Sequence, residues 1–317
     1  MIDPSRTIAL KTVVSESAAI LAPFFQKTAR EEARRIIADV LSVTPSKIRL
    51  DMDRMTVDEQ QEKDIIAKTR RRAKHEPLQY IAGSACFMGE EFQVGEGVLI
   101  PRGDTEILVE EAIKIAIETL SLTSGKPAFC PETIPPETFR FLEFCTGSGC
   151  IALSFIKKMK ESGWDISGLV TDLSPEALFF AEQNAQRLGC SDRIRIVQQD
   201  MMSDVSCLAA DHGPFQMILA NPPYIRTDVI ADLEPEVALY EPRIALDGGK
   251  DGLVFHRRIL ECARTLLSPG GWILIEIGYD QENKIRKLFD ETGLFETTSV
   301  KKDYGGNPRL AIGRRKG

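Results

Sequence analysis

The stretch QMILANPPYIRTD, residues 216–228, ends an apolar run on Asn221 and follows it with Pro222, Pro223 and Tyr224. Two prolines cannot donate to a sheet ladder and hold φ near −65°, so a strand must stop at Asn221 and leave the next groups rigid. Proline also biases the preceding Asn221 towards an extended conformation. Most Asn-Pro pairs are no more than stiff strand ends. The chemically richer reading is a pocket for a planar ligand carrying an NH2 group, built from the Asn221 amide, the Pro222 carbonyl and the Tyr224 ring, with Pro223 bracing it.

A second constellation lies upstream. FLEFCTGSGCIALSF places Gly147 and Gly149 between a strand and a helix, where glycine admits close backbone approach and the helix start offers unpaired N–H groups. Alone, Gly147-x-Gly149-x-x-Ala152 also fits a dinucleotide turn, with Asp172 suited to a ribose diol. Glu143, Asp172, Asp200 and Asn221 fall in or at the ends of four successive strand candidates, and open α/β sheets bind ligands at the carboxyl ends of their strands. S-adenosylmethionine carries a sulfonium cation and no phosphate, so it suits an acidic crevice better than a nicotinamide dinucleotide does.

The elements that must position these groups follow from periodicity. RFLEF, DISGLVTD, RIRIVQQD, FQMILAN, GWILIEI, ETTSVKKD and RLAIGR read as strands, with helices between the earlier ones. That alternation predicts an α/β fold, a doubly wound sheet with helices on both faces, over residues 106–317; taken with the methyl-donor reading, the expectation is a Rossmann-like sheet of the class I S-adenosylmethionine-dependent methyltransferase type. The final two strands, joined by YGGNP, should form a terminal antiparallel hairpin at the sheet edge. Residues 1–77 read as a small helical domain with little strand character. In it, TAREEARRIIADVLSV carries one apolar face, and a later helix is expected to start from Thr56 as N-cap with Glu59 as its box partner. Residues 78–105, broken by Gly83, Gly89, Gly95 and Gly97, read as a hairpin-like connector, and SLTSGKPAFCPETIPPET as a Pro-rich loop.

At 317 residues the chain is long for one core and natural for two domains. No long apolar run or basic-then-apolar leader marks a membrane protein, so the expected location is the cytoplasm. Seven scattered cysteines without a Cys-x-x-Cys pair, and His75, His212 and His256 far apart, argue for reduced thiols and no metal. The formal charge of −7 disfavours a general nucleic-acid binder. It is uneven: residues 1–80 hold 15 Lys/Arg against 12 Asp/Glu, leaving 25 against 35 for the rest. KTRRRAKHE, residues 68–76, reads most simply as a solvated helix face.

IPRGDTEILVE, TGSGCIAL, ILANPPYI, EPRIALDGGKDGL, LLSPGGWILIEIG and DYGGNPR together resemble the successive motifs of the HemK/PrmC family, the protein-(glutamine-N(5)) methyltransferases that modify peptide chain release factors. The similarity runs from about Glu76 to Arg314, and the helical part agrees in size and in its EPLQYIAG exit. Asn-Pro-Pro-Tyr alone is shared with other amino-methyltransferases; PRGDTE and DYGGNPR narrow the resemblance. It implies S-adenosylmethionine as donor, S-adenosylhomocysteine as product, no metal, and the glutamine of a release factor's Gly-Gly-Gln motif as acceptor. Asn221, Pro222 and Tyr224 would be catalytic, with Pro223 and Phe87 also contacting substrate. Glu143, Thr146, Gly147, Gly149, Asp172, Asp200 and Asn221 would hold the cofactor. Pro101 to Glu106 would line the mouth, and the helical domain would grip the partner protein. The default state is a monomer with no nucleic-acid substrate.

Two positions depart from the family pattern. Glu143 stands where Asp is usual, and Cys145 where glycine is usual, so a side chain could crowd the cofactor or strain a positive φ. Three other readings compete: an amino-methyltransferase of nucleic-acid bases, which would need base flipping and a basic groove; a catalytically weakened release-factor-binding module; and a dehydrogenase.

Overall fold

In the computed structural model, which describes residues 7–124 and 139–317, two three-residue strands pair antiparallel, β1 (Thr7–Ala9) with β2 (Thr56–Asp58). Between and after them come α1 (Leu10–Phe25), α2 (Ala29–Val40), α3 (Pro45–Asp51), α4 (Glu59–Arg72) and α5 (Leu78–Ala82). The expected face of α2 is buried at Ala33, Ile36 and Ile37, which pack with residues such as Leu21, Val13 and Ile65 of α1 and α4.

Helix α4 starts later than the sequence suggested. Thr56 is used by the β1–β2 pair, so Asp58 is the N-cap: its carboxylate accepts the Gln61 N–H at 2.8 Å while Gln61 Oε1 accepts the Asp58 N–H at 3.0 Å. Nor is the basic run 68–76 only a solvated face. Arg72 is 6% exposed, stacks 4.0 Å over the Phe25 ring, and pairs with Glu32 at 2.7 Å and Glu236 at 3.0 Å. Its charge tolerates burial because two carboxylates meet it.

Close contacts divide the chain into two units, one running to Ser84 and including Glu234–Tyr240, the other comprising Ala85–Leu233 and Glu241–Gly317. The expected connector 78–105 is thus split at Ser84. Within it β3 (Ser84–Phe87) pairs with β4 (Glu90–Gln93) around Met88 and Gly89, both with positive φ.

The second unit continues with α6 (Glu106–Ser124), β5 (Arg140–Phe144), α7 (Cys150–Glu161), β6 (Ser167–Asp172), α8 (Pro175–Arg187), β7 (Ile194–Gln198), α9 (Ser206–His212) and β8 (Phe215–Ala220). After α10 (Pro235–Tyr240), which belongs to the first unit, come α11 (Val254–Leu266), β9 (Leu267–Glu276), α12 (Glu282–Thr292), β10 (Phe295–Lys302) and β11 (Pro308–Arg315). Helix α6 takes in the first residues of the expected Pro-rich loop, whose remainder, 125–138, lies outside the described residues. No helix among the described residues is long and apolar enough to cross a membrane.

The seven strands form one sheet in the order β10-β11-β9-β8-β5-β6-β7, all parallel except β11, which runs antiparallel to both neighbours. This is the Rossmann-like sheet with the expected antiparallel hairpin at its edge. Period-two alternation gives it two cores. Phe141, Met217 and Leu219 face α6 and α7, whereas Leu142, Ile218 and Ile275 face α11 and α12. Chain order reverses between β5 and β8, which opens a crevice beyond their carboxyl ends.

Candidate active site

The crevice encloses about 970 Å³, its open mouth included, and is lined by residues following β5, β6, β7 and β8 and by the segment 97–102. At its floor the turn after β5 is held in a left-handed path at Cys145, Gly147 and Gly149, with φ of 55°, 56° and 78°. The Thr146 N–H donates to the Thr171 carbonyl at 3.0 Å and the Gly149 N–H to the Thr146 carbonyl at 2.9 Å, which fixes the turn between two strands. A Cβ on Gly149 would approach Leu153 Cδ1 to 3.0 Å and Ala181 to 3.4 Å, so glycine lets α7 and α8 close on each other here.

Asp172 ends β6 at the lip. Its two oxygens accept the backbone N–H groups of Gly147 at 2.9 Å and Ser174 at 3.0 Å, leaving further lone pairs towards the crevice. Burial raises its pKa, and those N–H groups oppose the rise. Asp200 also lines the crevice but is exposed, its carboxylate accepting the Met202 N–H at 2.8 Å. Glu143 is elsewhere: fully buried beneath the floor, it accepts the Ala152 N–H in the first turn of α7 at 3.0 Å. Burial pushes its pKa up to about 8, against the neighbouring Thr146 hydroxyl and the Ala152 N–H, and its Oε1 has no hydrogen bond. Glu143 therefore supports the cradle from below and is not among the residues that line the crevice. Cys145 holds the expected positive φ; its thiol lies 3.7 Å from Met201 Sδ, and burial keeps it protonated, an inert thiol on the crevice wall.

These residues fit S-adenosylmethionine. The cradle is made of backbone, two aspartates stand at its lip, and Arg102 is the only cationic side chain among its lining residues. Leu173, Met201, Ile244 and Phe255 supply apolar walls that sequence reasoning did not single out, since nothing in an isolated Leu or Ile marks it as a ligand wall.

Beside the crevice, Asn221-Pro222-Pro223-Tyr224 is clamped from several sides. Asn221 Nδ2 donates to Thr105 Oγ1 at 3.3 Å, which turns its Oδ1 the other way, and the Pro222 carbonyl accepts no hydrogen bond among the described residues. The Tyr224 hydroxyl donates to Glu276 Oε1 at 3.1 Å, and its pKa is raised by burial and by that carboxylate. The chain after Tyr224 pairs with the DGG segment: Ile225 N–H to Leu246 carbonyl at 3.0 Å, Gly248 N–H to Ile225 carbonyl at 2.8 Å. A Cβ on Gly248 would stand 2.7 Å from Tyr224 Cα and 2.8 Å from the Pro223 carbonyl, so only glycine lets this segment back the corner.

The motifs distant in sequence meet here. Arg309 of DYGGNPR pairs with Asp303 at 3.0 Å and with Asp104 of PRGDTE at 3.2 Å; the adjacent Thr105 holds Asn221. Pro101, Arg102 and Thr105 line the crevice as expected, whereas Glu106 turns inward to accept the Met88 N–H at 2.7 Å. Phe87 is a correction. It is 0% exposed, set edge-on against Phe92 with centroids 6.1 Å apart, and lies in the core under α6 and not at the mouth. A β3 position that reads as alternating in sequence carries no mark of which face meets the ligand.

Glu276, at the end of β9, was missed altogether. It sits in an apolar strand, ILIEIG, where a single carboxylate reads as a break in the pattern. Yet it is 2% exposed, supports Tyr224, and burial pushes its pKa up to about 7.

Known proteins point the same way as this geometry. A family model of the PrmC N-terminal domain matches residues 15–83. A release factor glutamine methyltransferase of Clostridium acetobutylicum is 38% identical over 247 residues, 78% of this chain and 78% of its own. Another, from Thermodesulfovibrio yellowstonii, is 37% identical over 281 residues, 89% of this chain and 91% of its own. Among solved structures, the hMettl16 catalytic domain in complex with the MAT2A 3'UTR hairpin 6 superposes with a TM-score of 0.52 at 14% identity, covering 88% of this chain and 92% of that one, a likeness of fold alone. With a backbone-built crevice beside a clamped Asn-Pro-Pro-Tyr corner, and with relatives of this identity along most of its length, the chain belongs to the release factor glutamine methyltransferase family.

Proposed function

We propose that the protein transfers the methyl group of S-adenosylmethionine to the side-chain amide nitrogen of the glutamine in the Gly-Gly-Gln motif of peptide chain release factors, as a cytoplasmic monomer. The observation that carries this reading is the orientation of Asn221: its NH2 is tied to Thr105, so Oδ1 and the unbonded Pro222 carbonyl stand as two acceptors beside the crevice.

Bound in the crevice, S-adenosylmethionine supplies an electrophilic methyl group. A glutamine amide nitrogen is a weak nucleophile because its lone pair is shared with its carbonyl. Asn221 Oδ1 and the Pro222 carbonyl each accept one of its N–H bonds, which fixes the nitrogen towards the donor and meets the positive charge that grows on it. Pro222 and Pro223 are buried and cannot swing, so the acceptors are in place before reaction. The Tyr224 ring, held by its hydroxyl on Glu276, lies against the amide plane. No strong base is required, since the N-methylated amide cation is a strong acid that water deprotonates. Asp172 accepts from the ribose diol, Asp200 stands nearer the adenine, and Thr146 and Gly147 form the floor. The helical unit grips the partner protein.

The test is mass spectrometry of a purified release factor incubated with S-adenosylmethionine and this protein. One added methyl on the Gly-Gly-Gln glutamine, absent with Asn221→Ala, supports the proposal. Methylation of a nucleic-acid base instead, or cofactor binding without transfer, overturns it.

A further inference from the structure

Resting on that reading, we infer that the ionised Glu276 is the positioning residue of the acceptor corner, orienting Tyr224 directly and Asn221 through Thr105. One donor reaches this carboxylate directly, and a second hydroxyl stands beside it. Asn221 Nδ2 donates to Thr105 Oγ1, which leaves the Thr105 proton free to donate onward, and Glu276 is the carboxylate beside that hydroxyl. From the other side the Tyr224 hydroxyl donates to Glu276 Oε1 at 3.1 Å. Glu276 Oε2 is buried without a hydrogen bond of its own, an acceptor in reserve. Both substrate-facing groups therefore take their direction from one buried anion that itself reaches no substrate.

Only a carboxylate can serve this way. Two hydroxyl donors on the two sides of the group need an acceptor on each oxygen, and a protonated acid or a glutamine carries donor hydrogens on one of its two terminal atoms. Leaving a donor or acceptor of such a network unpaired is unfavourable, so loss of one partner should misdirect the corner rather than leave it unchanged.

The surroundings place the ionisation of Glu276 within the working range. Burial pushes its pKa up to about 7, offset by the Thr105 hydroxyl, the Arg309 guanidinium and Tyr224, while Asp104 pushes it further up. Two other titratable groups face it. His256 is fully buried, its Nε2 2.9 Å from the Glu276 backbone carbonyl, and burial holds its pKa down at about 4, so it stays neutral across the range. Cys150 also feels the carboxylate and is pushed up to about 12, so it does not titrate there either. The sign follows: above pH 7 Glu276 is ionised and the corner is set; below it the carboxyl protonates and one donor loses its acceptor.

The test is single-turnover methylation of a release factor at saturating S-adenosylmethionine between pH 5.5 and 9, with cofactor affinity and melting temperature measured in parallel. For the wild type the rate should fall about fivefold one unit below the pKa of Glu276 and level off about tenfold down. Glu276→Gln should lower the rate at pH 8 about tenfold, abolish the acid limb, and leave cofactor affinity unchanged. Thr105→Val should lower the rate while keeping the acid limb, because Glu276 still titrates beside Tyr224, whose own pKa burial raises far above this range. A Glu276→Gln protein that keeps the wild-type rate, or whose rate drops uniformly with the acid limb intact, would overturn the inference and move that limb to another carboxyl such as Glu143. Should Glu276→Gln not fold, a wild type without an acid limb near pH 7, or a Thr105→Val protein at full rate, overturns it equally. A wild type that transfers no methyl to glutamine takes down the reaction itself, and is distinguished by that absence.

Discussion

Two buried carboxylates, Glu143 and Glu276, lie under two halves of the same site and do different work. Glu143 ties down backbone: its partner is the Ala152 N–H at the start of α7, and what rests on it is a glycine turn. Glu276 ties down side chains: its partner is the Tyr224 hydroxyl, with the Thr105 hydroxyl beside it. Both have an oxygen without a hydrogen bond, and burial raises both, to about 8 and about 7. The crevice half is a cradle of main chain that few side chains can spoil. The acceptor half is a network in which each side chain aims the next.

That contrast can be broken first at Asn221. Asn221→Ala removes an acceptor needed mainly as charge develops, so the methyl-transfer rate should fall about 100- to 1,000-fold with cofactor affinity nearly unchanged. Equal losses in both quantities would mean the two halves are not separable. Asp172→Ala attacks the other half. It removes a charged acceptor for a bound diol, worth about 1.5–3 kcal/mol, so cofactor affinity should fall about 10- to 100-fold while the rate at saturation is largely kept. An unaltered titration curve would remove Asp172 from the cofactor site.

Smaller effects sharpen the comparison of the carboxylates. An acid whose pKa rises from 4.5 to about 8 on folding holds its proton in the native state after the unfolded chain has released it, so stability is full below pH 4.5 and is lost as pH rises through 8. Glu276 adds a like decline that ends near pH 7. Glu143→Gln should therefore flatten the fall in melting temperature between pH 5 and 9, and gain a few degrees at the alkaline end. If that slope survives the substitution, Glu143 is not protonated in the native protein. The smallest change expected is at Cys145. A left-handed φ costs a non-glycine residue about 1–2 kcal/mol, and glycine gives back about 0.5–1 kcal/mol in chain entropy, so Cys145→Gly should raise the melting temperature by about 1–2 °C. Cofactor affinity should stay within about twofold, since the thiol packs towards Met201; a larger gain would show that Cys145 crowds the cofactor.

The cradle was far more legible than the corner. Gly147 and Gly149 between strand and helix, and Asp172 at a strand end, announce themselves because backbone sites depend on local residue types. Thr56 was misread as a cap because its pairing with β1, nearly fifty residues earlier, is invisible locally. Phe87 was placed at the mouth, although which face of a half-apolar strand is buried depends on what packs against it. Glu276 was passed over for the converse reason: a carboxylate in an apolar strand acquires meaning only from the Tyr224 hydroxyl brought to it.

By itself the sequence determined the alternation of strands and helices, the stop at Asn221, the glycine turn, and the antiparallel hairpin, since each depends on residues within a few positions of one another. Only the tertiary structure decided that β11 inserts between β9 and β10, that Arg309 reaches Asp104, and that Thr105 holds Asn221. The two side-chain contacts join residues separated by more than a hundred positions, and no local preference encodes them; they exist because burial brings the segments together and leaves polar groups that must find partners there.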